Sequence, residues 1–250
     1  MRRLLWPTAS LLCFIGLLLA WKVAADARLV NPIWFPAPDR ALGKLWEWAR
    51  DGVLWSPLGK TVWRMLAGWL AACVVGVVLG AAIASSTLAR GLLQPSAEFL
   101  RPLPASAVLP VAILVLGLSD AMIVFVVAFG SVWPVLLGSI HGFRSLDPRL
   151  VEVARMLRLS RWQRAWSVQL PAALPDIFAG MRVSIAIALI VTVASEMLSS
   201  QQGIGYLMLL AARSFRSVDI FAGVIVLGAL GFLANTAVKK LEDRLLRWRP

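Results

Sequence analysis

The sequence predicts an all-α polytopic membrane protein with about six transmembrane helices. Three observations carry this. Hydrophobic residues make up 60% of the 250-residue chain, where a soluble domain has nearer half. Mean hydropathy is +0.79. The apolar residues are gathered into runs close to the ~20 residues that cross a hydrocarbon core. Such a composition has too little polar surface to face water on all sides.

Taken in order, the first run is Leu4 to Trp21 behind Arg2 and Arg3. It has the look of a signal peptide, but the rest of the chain is also apolar, so it reads as an uncleaved first span. Residues 22–64 are mixed. Pro32, Pro36 and Pro38 lead into Leu42 to Trp55, where Trp46, Trp48 and Trp55 are interspersed with charges. This is either a short helix lying at the membrane surface or an exposed loop with a helical turn. The second span is Met65 to Ser85, with Gly68, Gly76 and Gly80 near one face for close helix approach. The third, Ala105 to Leu118, is short. It is expected to extend back through Pro102 and Pro104 as a kinked helix. A tight turn at Ser119-Asp120 precedes the fourth span, Ala121 to Ile140. The fifth is Ile177 to Leu198 and the sixth Ile220 to Val238.

Charge gives orientation. The formal net charge is +12. In a soluble chain this would suggest a nucleic-acid partner; in a membrane protein it reflects basic cytoplasmic loops, and no nucleic acid is expected. With the N-terminus inside, Arg90, Arg101, the Arg144–Arg164 segment and the basic tail from Lys239 all face the cytoplasm. Both termini are then cytoplasmic. With two cysteines, each in an apolar run, no disulfide framework or zinc site is expected, and a single histidine, His141, excludes a histidine-rich metal site. His141 reads as an interfacial residue at a helix end.

The segment between spans four and five is the most informative. Asp147 can cap a helix whose first position is Pro148. Leu150, Ala154 and Leu157 share a face. Ser160 and Gln163 fit a capping box for a second helix, which is expected to end near Pro171. A basic residue recurs at every third position from Arg155 to Arg164. Charges alone would suit a solvated surface, but a compact capped pair between two spans suits a surface gripped by a partner.

This segment resembles the EAA motif of binding-protein-dependent ABC permeases. Glu152, Ala154, Val168, Leu170 and Pro171 match the motif, Val153 replaces its second residue, and Arg158 stands where the family has Gly. Arg there either takes the left-handed conformation at roughly 1 kcal/mol or uses a different turn. Leu100-Arg-Pro-Leu-Pro104, Gly180-Met-Arg182, Ala194-Ser-Glu196, Gly203-Ile-Gly205-Tyr206-Leu207, Asp219-Ile-Phe-Ala-Gly223 and Leu241 to Trp248 resemble the branch of that family importing nitrate, taurine and aliphatic sulfonates. The similarity runs from about residue 60 to the C-terminus. It implies a type I ABC importer permease fold, with residues 1–60 as a first helix and outer loop. Residues 61–250 form the permease domain, whose coupling loop lies at about 147–171.

The resemblance also implies partners: ABC ATPase subunits, an extracytoplasmic substrate-binding protein, a second permease copy and the lipid of a bacterial inner membrane. Coupling to the ATPase is implied for Glu152, Ala154, Arg155, Leu157, Arg158, Trp162 and Pro171. No cofactor is expected on this chain, with ATP and Mg on the ATPase. Gly59-Lys60-Thr61 is similar to the end of a phosphate-binding loop, but Leu54 stands where the earlier Gly is needed. No catalytic residue, metal ligand or enzymatic activity of its own is therefore expected. Arg182 and Glu196 are charges in the fifth span, either lining the pathway or structural. Arg182 is expected to snorkel to the interface. Glu196 is expected to be a structural partner of Arg213 or Arg216. The alternatives are the same role for another solute, such as a thiamine or riboflavin precursor, and a secondary transporter outside the ABC class.

Overall fold

The computed structural model describes residues 2–27, 29–31 and 33–247; most side chains of residues 1–14 and those of Pro148, Val151, Arg155 and Arg161 are outside the description. The described residues form eleven α-helices with no strand. They are α1 Arg2–Asp26, α2 Pro38–Arg50, α3 Trp55–Ser85, α4 Thr87–Leu100, α5 Ala105–Leu116, α6 Asp120–Arg144, α7 Pro148–Met156, α8 Arg161–Arg164, α9 Leu170–Ser199, α10 Ile204–Arg213 and α11 Ser217–Leu245.

Four helical stretches among these are long and apolar enough to cross a membrane: α3, α6, the Trp162–Ser199 stretch that contains α9, and α11. The expected third span departs from a kinked helix. α4 and α5 meet at 101°, and α5 has 12 residues, a rise of about 18 Å against a core of ~30 Å. The pair is a broken crossing or a re-entrant loop. The reason is local: Pro104 is extended at φ −65°, ψ 135°, and Pro102 and Pro104, either side of Leu103, leave two positions of the turn without an N–H. The first expected span lies on the 25-residue α1.

α3, α5, α6 and α9 form the core. Met65, Trp69, Cys73, Leu109, Met122, Val127, Phe178 and Ile185 pack there. α3 lies flush on α6 because Gly68, Gly76 and Gly80 face Val127, Val135 and Ser139; a Cβ on Gly76 would sit 2.9 Å from that of Val135. Thus the small-residue face expected on the second span is a helix interface. α3 also begins ten residues earlier than the expected span.

A second cluster, Trp48, Leu54, Ile204, Ala222 and Val226, joins α2, α10 and α11. α2 is the helical one of the two expected alternatives, with Trp48 buried and Trp46 exposed. The end of α1 is tied to this layer by Trp21, whose ring lies 5.5 Å from that of Phe221 and whose Nε1 donates to the Pro36 carbonyl at 3.1 Å.

Candidate functional site

The helical pair between α6 and α9 is built by the local devices its sequence contains. The Asp147 carboxylate accepts from the Arg149 amide at 2.9 Å and opens α7. At the other end Arg158 is left-handed, at φ 52°, and the Leu159 amide donates to the Ala154 carbonyl at 3.1 Å. That is the six-residue Schellman closure, usually made by glycine. Arg158 therefore makes this left-handed closure at a cost of roughly 1 kcal/mol, and the two helices are joined by a tight turn. The capping box also forms: the Ser160 amide donates to Gln163 Oε1 at 2.9 Å and the Gln163 amide to Ser160 Oγ at 3.2 Å.

The second helix does not end at Pro171. After α8 comes a π-helical turn over Ala165–Gln169, in which the Leu170 amide donates to the Ala165 carbonyl. The wide turn shifts the hydrogen-bonding register just before Pro171, whose missing N–H then falls in the first turn of the next segment, while Pro175 lies inside that helix. Helix continues through Pro171 and Pro175 to Ser199. The second arm of the loop and the fifth span are thus one rod of 38 residues, Trp162–Ser199.

On this loop Ala154 is buried, and it is the side on which α7 closes. Leu150 and Leu157, expected on the same face, are exposed, because little packs beneath the ends of so short a helix. Glu152 and Arg158 are exposed and Pro171 is half-buried. The Arg155 side chain lies outside the described residues. Val153, Met156, Leu157, Trp162 and Trp166 are exposed apolar side chains, and the two indoles pack with ring centroids 5.5 Å apart. With Leu150, six large apolar side chains on one polar loop are more than single scattered exposures explain.

A second constellation was missed by sequence reasoning. Glu196 is fully buried, and its partner is Arg64, not Arg213 or Arg216. Arg64 Nη1 lies 3.0 Å from Glu196 Oε1 and donates also to the Gln202 carbonyl at 2.7 Å. Its Nε and Nη2 reach Asp120 Oδ1 at 2.8 and 2.5 Å. Thr61 Oγ1 donates to the Glu196 carboxylate at 3.0 Å and accepts from the Ile204 amide at 3.0 Å. The Gly205 amide completes the carboxylate's partners at 3.0 Å. One buried ion pair thus ties together α3, α6, α9 and the start of α10.

The Gly203-Ile-Gly205 motif has its explanation here. Gly203 is the N-cap of α10 and has no side chain to cap with; Thr61 and Glu196 satisfy the first helical amides instead, with a carboxylate at the positive end of the helix. The Gly203 backbone lies directly against the Glu196 carboxylate, and any Cβ there would overlap it. The available signal was Arg64 itself, an ionised residue at the head of an apolar run, which the expected span boundary had placed in a loop. Arg213 is exposed, and Arg216 pairs with Asp219 at 3.2 Å. Lys44 approaches Asp219 at 4.0 Å, and its hydrogen bond to Glu47 holds its ammonium above the usual lysine range.

Arg182 reaches Glu242 on α11 at 3.2 Å with its side chain partly exposed. It carries an interhelical ion pair between α9 and α11. Trp248, the end of the tail motif, lies outside the described residues. His141 is exposed in the last turn of α6.

Comparison with known proteins agrees with this architecture. Residues 74–247 match the family of binding-protein-dependent transport system inner membrane components. The chain is 34% identical over 230 residues to SsuC of Bacillus subtilis (strain 168), an aliphatic sulfonates transport permease protein by assignment, covering 92% of this chain and 83% of that protein. It is 30% identical over 254 residues to the taurine transport system permease protein TauC of Escherichia coli (strain K12), covering 97% and 92%. In fold it is similar to the methionine ABC transporter MetNI in an inward-facing crystal form, at a TM-score of 0.64 and 15% identity over 79% of this chain and 98% of that one.

Proposed function

From the premise that this chain belongs to the inner membrane component family of binding-protein-dependent transport systems, and so is a multi-pass ABC transport permease of type I fold, we propose that it moves a small anionic solute inward. The solute is of the class of taurine, aliphatic sulfonates or nitrate. ATP is hydrolysed with Mg on separate ATPase subunits. A substrate-binding protein delivers the solute at the outer loops, and two copies of this chain enclose the path. Both termini face the cytoplasm, so the 147–171 loop is on the ATPase side.

One observation carries the coupling reading: the capped, Schellman-closed pair of helices presents exposed Glu152, Leu157 and Trp162 and continues without a break into a membrane-crossing rod. A push on the loop is then delivered along α9, which is what a switch between inward and outward openings needs. The names of the similar permeases support the solute class.

The test is co-purification in mild detergent with the partner ATPase, for wild type and Glu152→Lys. Retention by wild type and loss by the variant is the expected result. A well-folded wild type that retains no ATPase, or transport that persists without ATP, overturns the coupling role and favours a secondary transporter. The solute is then identified by the ligand of the partner binding protein: a sulfonate or nitrate is expected, and a thiamine or riboflavin precursor overturns the solute class.

A further inference from the structure

A groove with two chemically different ends lies between α3, α4 and α6. Its larger part, about 420 Å³, is apolar: Val75, Leu79, Leu93, Leu100, Phe125 and Phe129 are among its walls. It adjoins a smaller cavity of about 240 Å³ that shares Ile83, Ala97, Trp133 and Leu136 with it. The walls of the smaller cavity carry Arg101, Arg144, Gln94 and Glu98. Gln94 donates to Glu98 at 2.8 Å, so the carboxylate has a partner within its own helix while neither arginine has a carboxylate partner among the described residues. Trp133, common to both cavities, keeps its buried indole Nε1–H without an acceptor. An indole nitrogen can only donate, and an unpaired buried donor is costly.

The groove therefore offers space for an alkyl chain, a net positive end where Arg101 and Arg144 outnumber Glu98, and one unused donor between them. Val75, Phe125 and Leu100 are partly exposed, so the apolar part opens onto the side of the bundle. Arg144 closes the inner end of α6, and Arg101 lies at the α4–α5 break. In the orientation proposed above, the cationic end is at the depth of the cytoplasmic headgroups and the apolar end at the depth of the acyl chains. We propose that this groove binds an anionic phospholipid of the cytoplasmic leaflet, its phosphate on Arg101 and Arg144 and one acyl chain along α4. Charge complementarity selects this occupant: basic clefts between helices at the cytoplasmic surface attract anionic headgroups, whereas a zwitterionic lipid brings its own cation beside the arginines. The bound chain fills the space that the α4–α5 break leaves beside α3 and α6.

The full chain, purified in mild detergent, is titrated with palmitoyl-oleoyl phosphatidylglycerol and separately with the matching phosphatidylcholine, and adducts are counted by native mass spectrometry. One phosphatidylglycerol per chain is expected, at a concentration about tenfold below that needed for phosphatidylcholine. Arg101→Gln/Arg144→Gln removes that preference, and Ala97→Leu, which narrows the shared wall without touching charge, weakens both lipids. Elution as a single symmetric species shows that each variant is folded. Equal binding of the two lipids, or a preference that survives the double substitution, overturns the proposal. Displacement of phosphatidylglycerol by a stoichiometric amount of octanesulfonate also overturns it, in favour of a solute site. Lipid bound to the monomer and absent from the dimer overturns it in favour of a second copy as occupant.

Discussion

Arg64 and Glu196 show what one buried charge demands of its surroundings. Arg64 is 1% exposed and Glu196 fully buried, and each has hydrogen bonds beyond their mutual one. Removing one partner leaves the other unpaired, typically at a cost of 3–5 kcal/mol. Arg64→Met is therefore expected to lower the melting temperature of the purified protein sharply. Arg64→Met/Glu196→Gln is expected to recover much of the loss, and a double variant no more stable than the single one would sink the pairing as the cause. Because the cluster's hydrogen bonds go to the protein itself, Glu196→Gln is expected to leave solute preference unchanged in a transport assay with competing solutes. At Arg158 the strain runs the other way. Glycine takes φ 52° without steric cost, so Arg158→Gly is expected to keep ATPase retention and to raise thermal stability slightly. Lost retention would show that the guanidinium, not the turn, makes the contact.

Among the elements, two helix-scale features were set by what lies beside them. α3 and α6 approach closely because three glycines remove the side chains between them. A Cβ on Gly80 would meet Ser139 and lie 3.1 Å from the Leu136 carbonyl, while Gly91 on α4 has nothing within 4 Å. Gly80→Ala is expected to destabilise by about 1–3 kcal/mol through overpacking, and Gly91→Ala to stabilise slightly through helix propensity. Thermal unfolding of both in one detergent checks the pair; equal shifts would refute the close-approach reading. The other feature is the π turn before Pro171. It lets a helix that local rules would end at the proline continue into the fifth span.

For the whole molecule, burial and hydropathy disagree in an informative way. The apolar windows of the four long helical stretches have mean hydropathies of 2.1–2.3, yet only 28–44% of each is buried inside the chain. Lipid and partner surfaces must cover the rest, since water does not. The expected topology makes a direct prediction. In intact cells, a cysteine introduced at Ser145 is expected to resist an impermeant maleimide, and one at Ser214 to react, in a background where Cys13 and Cys73 are replaced. Reversed labelling would invert the orientation and place the 147–171 loop away from the ATPase side.

Much of this architecture was legible in the sequence because the devices are local. Apolar run length gave the spans of α6, α9 and α11. Asp147, Ser160 and Gln163 gave the caps of the loop, since each cap joins residues two or three apart. The small-residue spacing on α3 gave a helix interface without naming its partner. What the sequence could not supply depended on residues far apart in the chain. Arg64 meets Glu196 across 132 positions and Asp120 across 56, and neither separation has a periodic signal. The 101° break at Pro102–Pro104 was marked by its prolines, but their direction of turn depends on what α4 and α5 pack against. The sequence by itself determined a helical membrane protein with a capped loop of the ABC permease type. Only the tertiary structure decided which buried charges neutralise one another, because desolvation energy belongs to the packed environment and not to the residue.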